Sequence, residues 1–167
     1  MNQLKYITGD ATLPLSERVI ITHCCNDIGG WGAGFVIPLA NRYPQSREEY
    51  RRWYNTSFLG ISYVDDRDLP VEWKLGEAQF VKIDEGYIVN ILGQRSIGFD
   101  EFGNAPIRYD AIRKGMQTIC QEALYENYSV QLPKIGAGLA GGNWDIIEQI
   151  IKDELVEKGV DTTVILL

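Results

Sequence analysis

The sequence predicts an α/β protein, a three-layer α/β/α sandwich formed as one domain over residues 1–167. Three observations lead there. Short apolar, β-branched runs alternate along the chain with stretches of helical spacing. Two of the strand-to-helix transitions are rich in glycine. No repeat, linker or shift of composition divides the 167 residues, a length ordinary for one domain with a real core.

The elements follow in order. Leu4 to Thr8 alternates like a half-buried first strand and ends in a turn, Gly9-Asp10-Ala11-Thr12. Val19, Ile20 and Ile21 have the composition of a strand covered on both faces. It breaks into a loop holding Gly29, Gly30, Gly32 and Gly34 around Trp31, and Phe35, Val36, Leu39 and Ala40 then recur at helical spacing. Pro44 closes that helix, since the residue before a proline is pushed out of the helical region. Ser46 and Glu49 predict a capping box for a second helix through Tyr50, Trp53 and Tyr54. Ile61, Tyr63 and Val64 fit an edge strand. Glu77–Ile83 and Gly86–Leu92 read as two strands joined at Asp84-Glu85-Gly86.

Beyond Gln94, Arg95 and a surface loop, Pro106 suits the first position of a third helix, with Ala111, Ile112, Met116, Ile119, Cys120 and Ala123 on its apolar face. Tyr128–Leu132 alternates as a strand and enters the second glycine loop, Pro133 to Gly142. Asn143 is a good N-cap, and Ile146, Ile147, Ile150, Ile151 and Leu155 bury the last helix before Gly159 ends it. Thr162–Leu167 is a final strand.

The totals exclude several classes. The chain is 45% hydrophobic and 23% charged, near the globular average, so neither extended disorder nor a membrane span is expected. The N-terminus lacks the apolar core of a secretory signal, which predicts a cytoplasmic location. Cys24 and Cys25 are adjacent in a strand and point to opposite faces, which suits reduced thiols. With one histidine and no Cys-x-x-Cys pair, no metal centre is expected, and nothing calls for a cofactor. A formal net charge of −7 disfavours extended nucleic acid but leaves room for a small anion held by backbone amides.

Glycines at this density bare the backbone N–H groups, and a helix N-terminus beside them favours negative charge. Two such loops at the carboxyl ends of strands would suit a diphosphate flanked by sugars. The first loop has neither the spacing nor the Lys-Ser/Thr of a triphosphate-binding loop.

These residues carry a resemblance. Gly-Asp-Ala-Thr after the first strand, an Asn-containing segment leading to Gly-x-Gly, and Pro-x-Ile-Gly-x-Gly-Leu-x-Gly-Gly before the last helix resemble a macro domain. The likeness covers nearly the whole chain and implies a mixed central sheet and ADP-ribose, or a derivative, as ligand. The segment from His23 to Phe35, followed by Arg42-Tyr-Pro, is similar to the ADP-ribose 1″-phosphate phosphatase branch. The second loop is closer to the terminal ADP-ribose glycohydrolases and the antitoxins that remove ADP-ribose from DNA.

The resemblance implies that Asp10 accepts from the adenine amino group, with the Ala11 amide beside it. It implies a first phosphate loop at Gly32, Ala33, Gly34 and Phe35, and a second at Gly136, Ala137, Gly138 and Leu139. Gly30, Gln94 and Ala140 complete the binding set. Asn26 matches the residue that bonds the distal ribose. Trp31 either stacks over that ribose or covers the loop, and Trp144 is expected in the core. The lysine on which the glycohydrolases rely is missing: Gln94 and Arg95 follow the strand, and Ala140 stands where an aspartate is needed. Neither glutamine nor arginine can replace that lysine.

His23 is then the expected acid/base or nucleophile, with Asn26 and Asp27 orienting water or hydroxyls and Arg95 clamping a terminal phosphate. Hydrolysis of ADP-ribose 1″-phosphate is the first expectation. A non-catalytic reader of free or attached ADP-ribose, and lysine-independent removal of ADP-ribose, are the alternatives.

Overall fold

The structure, a computed structural model, describes residues 3–138 and 140–167. Its strands are β1 (Lys5–Thr8), β2 (Val19–Asn26), β3 (Ala78–Ile83), β4 (Gly86–Gln94), β5 (Ser129–Leu132) and β6 (Thr162–Leu166). The helices are α1 (Val36–Arg42), α2 (Pro44–Leu59), α3 (Tyr109–Glu126) and α4 (Trp144–Ile151), the last continued by a π-helical turn over Lys152–Val156. The strands form one mixed sheet in the order β1-β6-β5-β2-β4-β3, parallel throughout except for the antiparallel pair β3–β4.

Central β2 explains the layering. Val19, Ile21 and Cys25 pack on one face with Leu39, Tyr50 and Trp53 of α1 and α2. Ile20 packs on the other with Ile112, Met116, Ile147 and Ile151 of α3 and α4. Both faces are therefore dry, which is why the sequence shows a continuous apolar run there and not an alternation. At Gly115 a Cβ would lie 2.6 Å from Ile91 Cγ2, so α3 presses onto β4 where only glycine fits. Because β1, β2 and β5 all run parallel in the sheet, the loops that follow them emerge at one edge of it.

Several expectations are corrected. Residues of β1 are all exposed, because this edge strand pairs only with β6. Ser46 does not open a capping box: α2 already begins at Pro44, and the buried Ser46 hydroxyl donates to the Tyr43 carbonyl at 2.7 Å. Residues 61–64 form no strand but a lone bridge between Val64 and Pro70. Nor does Pro106 start α3. Arg95 N donates to Pro106 O at 2.8 Å and Ile107 bridges Gln94, so strand pairing wins and the helix waits until Tyr109. Ile146 is 43% exposed, outside the buried stripe of its neighbours. Asn143 caps α4 as expected, accepting from Asp145 N at 2.9 Å. Among the described residues no helix is long and apolar enough to cross a membrane.

Candidate functional site

The loop after β2 is wound around Asn26. Its Oδ1 accepts from the amides of Ile28 at 3.1 Å and Gly30 at 2.9 Å and from the Tyr50 hydroxyl at 3.1 Å. Its Nδ2 donates to Gly30 O at 2.9 Å. Asp27 pins the neighbouring loop, its carboxylate accepting from Ser96 N at 2.7 Å. Trp31 turns inward: it is 6% exposed, and its indole N–H donates to Val36 O at 3.0 Å. With both side chains drawn in, Gly32, Ala33 and Gly34 are left exposed.

The loop after β5 closes on itself. Gly142 N donates to Gly136 O at 2.7 Å, and a Cβ on Gly142 would stand 2.4 Å from that oxygen, so the turn requires glycine. A Cβ on Gly138, by contrast, meets nothing within 4 Å. Leu139 lies outside the described residues.

The two loops face one cleft of about 430 Å³, a size suited to a small organic ligand. Ala33, Gly34 and Phe35 line it from the first loop, and Gly136, Gly138 and Ala140 from the second. Ile165 and Leu166 form one end. Cys24, Ala33, Val36 and Gln94 are shared with a smaller hollow of about 180 Å³, where Cys25, Asn26, Gly30, Gly32 and Ile97 complete the wall. Ala137 sits between two lining glycines. Among the described residues Lys134 is the one cationic side chain bordering the cleft; it is exposed, with its ammonium over the Trp144 ring, and no local sequence signal marks it. Trp144 itself is half-buried, donating to the Tyr6 hydroxyl at 3.0 Å.

Beside the Leu166 end, Gly9 N donates to Leu166 O at 2.7 Å and so fastens the turn that carries Asp10. Asp10 Oδ1 accepts from Thr12 N at 2.9 Å and Thr12 Oγ1 at 2.7 Å, while Arg42 lies 3.7 Å from Oδ2 and bonds Thr12 Oγ1. The Thr12 bonds, then Arg42, hold this carboxyl below its ordinary range. Ala11 is buried beneath it.

His23 is placed otherwise than a general-acid role needs. It borders the cleft but is only 2% exposed; its Nε2 lies 2.5 Å from Asn90 Oδ1, and its ring packs between Trp31 and Phe35. Burial lowers its pKa to about 4, partly opposed by the Asn90 bond. A neutral imidazole whose N–H is already committed has no proton to deliver to an ester. Asn26 is likewise committed to its own loop. Burial pushes the Cys24 thiol up to about 12 and the Cys25 thiol well above its ordinary value, so neither supplies a thiolate. Arg95 lines a separate hollow with Arg108, not the cleft. Among the described residues no group of three or more His, Cys, Asp or Glu side chains is placed to hold a metal ion.

Comparison with family models gives no match. Among solved structures, a macrodomain protein from Streptomyces coelicolor is 34% identical with a TM-score of 0.79, over 98% of each chain. A protein of unknown function from Bacteroides thetaiotaomicron is 42% identical with a TM-score of 0.89, over 99% of each. The chain belongs to the macrodomain family. Among curated proteins, the ADP-ribose 1″-phosphate phosphatase of Candida albicans is 26% identical over 90% of this chain and 92% of its own length. The chromodomain-helicase-DNA-binding protein 1-like of Danio rerio is 27% identical over 96% of this chain, which spans only 15% of that protein.

Proposed function

We propose that the cleft binds ADP-ribose or a derivative in an extended form. The adenine lies toward Asp10 and Leu166, the pyrophosphate between the two glycine loops, and the distal ribose in the hollow beside Gly30 and Gln94. One observation carries this reading: the two loops, far apart in sequence, line one cleft. Amides held in fixed loops attract an anion without a reorganisation cost, which fits a chain of net charge −7. Calorimetric titration with ADP-ribose, ADP and AMP tests it. ADP-ribose is expected to bind most tightly; equal affinity for AMP would remove the pyrophosphate from the account.

A second reading, release of phosphate from ADP-ribose 1″-phosphate, is favoured by the phosphatase of matching length among the relatives. Such chemistry would proceed by water attack at phosphorus with cleavage of the P–O bond to the distal ribose, the departing sugar oxygen taking its proton from solvent and not from His23. Asp27, partly exposed next to Asn26 and with one carboxylate oxygen on Ser96 N, is then the candidate base. A phosphate-release assay on the wild type and Asp27→Asn decides between turnover and binding alone.

A further inference from the structure

A buried polar chain leads from His23 across one face of the sheet to α2. Asn90 Nδ2 donates to two acceptors, Ser46 O at 3.1 Å and Gln79 Oε1 at 2.9 Å. Gln79 Nε2 in turn donates to Glu49 O at 2.8 Å and to the Tyr63 hydroxyl at 2.6 Å. Tyr63 donates to the Glu49 carboxylate at 3.1 Å, where Arg52 also binds.

The direction of every bond follows. Backbone carbonyls accept only, so Glu49 O and Ser46 O fix the orientation of both amides. Asn90 must then offer its oxygen to His23, and His23 must present Nε2–H. A helix packed on the same face of the sheet, three strands' breadth along the bond chain, thus sets the tautomer of the single histidine. Asn90, His23 and Gln79 are each 2% exposed or less, and no buried side-chain nitrogen or oxygen among the described residues lacks a partner. A network satisfied to that degree resists rearrangement.

The ring at the end of the chain supports the loop. Trp31 meets it edge-on at 5.4 Å between centroids and Phe35 at 5.8 Å. Gly32, Ala33 and Gly34 are strung between those two aromatics, so the exposed amides hang from one imidazole. The other titratable groups around the ring are the Cys25 thiol, 3.8 Å from Nε2, and the Tyr50 hydroxyl, packed behind Trp31. Neither brings a charge; Glu49 and Arg52 stand at the far end of the chain.

We propose that Asn90 is a positioning residue for the ligand loop: it locks His23 as the neutral Nε2–H ring on which Trp31 and Phe35 seat the Gly32–Gly34 segment. The proposal rests on the reading that this segment holds the ligand.

Because the chain has one histidine, nitrogen NMR of ¹⁵N-histidine-labelled protein reads a single ring. The wild type is expected to show the neutral Nε2–H form from about pH 5 to 8, with ADP-ribose affinity flat over the same range. Asn90→Asp keeps an acceptor for Nε2–H, loses both donated bonds and places a carboxylate beside the ring. Its histidine is expected to titrate inside that range, and its affinity to fall about tenfold with the same midpoint. A loss of packing alone would lower affinity equally at every pH. A wild-type ring that is Nδ1–H, or that titrates near its ordinary value, overturns the proposal without any variant. So does Asn90→Asp with a titrating ring and pH-independent affinity. Wild-type protein that binds no ADP-ribose overturns the cleft reading instead, and the proposal with it.

Discussion

Gly138→Ala separates the ligand's demands from those of the fold. Gly138 lines the cleft outside the left-handed region, and an added Cβ meets nothing within 4 Å. Folding therefore gives no reason for glycine there. Restricting the unfolded chain should even add about 0.4–1 kcal/mol of stability. A phosphate in contact with this backbone would be pushed away by the new methyl and lose at least one bond from an amide to a charged oxygen. Such a bond contributes about 1.5–3 kcal/mol, or roughly 10- to 150-fold in Kd. Calorimetry with ADP-ribose and a thermal melt should thus move in opposite directions, affinity down and Tm level or up. Gly142→Ala is the contrast: its Cβ would stand 2.4 Å from Gly136 O, so it should lose stability and binding together. Gly138→Ala protein that binds within about twofold of wild type would refute the assignment of this loop to the phosphates.

Three other residues give expected outcomes. Asp10→Asn should weaken ADP-ribose about tenfold and lose discrimination against a hypoxanthine analogue, as titration with both nucleotides would show. Since Thr12 and Arg42 depress the Asp10 pKa, its contribution to stability is present above the ordinary carboxylate value and lost only as pH falls through the lower folded one. For His23 the folded pKa of about 4 lies below its ordinary 6.5, so the unfolded chain binds the extra proton between those values. Stability should fall on acidification across that window by about 3 kcal/mol, and urea melts of His23→Gln should lack that part of the slope. Gly115→Ala, with its Cβ 2.6 Å from Ile91 Cγ2, should cost about 1–3 kcal/mol by overpacking and leave ADP-ribose affinity unchanged.

Much of the architecture could be read from local signals. The run Val19–Ile21 announced a strand buried on both faces, and all three residues are fully buried. Asn143 announced its helix. Signals failed where pairing between distant segments decided the outcome. Pro106 is compatible with a helix start, but Gln94 and Arg95 capture its segment first.

The site divides in the same way. Glycine spacing located both loops, because backbone freedom is a local property. The orientation of His23 was half-visible: strand alternation puts it on the face of Ile21 and Cys25, toward α1 and α2. Its partner was not, because Asn90 sits opposite His23 only through the parallel register of β2 and β4. The same holds for Trp31, whose inward turn depends on the Val36 carbonyl and on Tyr50.

A crystal structure with ADP-ribose soaked or co-crystallised tests the account most directly. It should show pyrophosphate oxygens bonded at once by amides between Gly32 and Phe35 and by amides between Gly136 and Gly138. A nucleotide held by one of these segments alone, or seated elsewhere on the molecule, would contradict it.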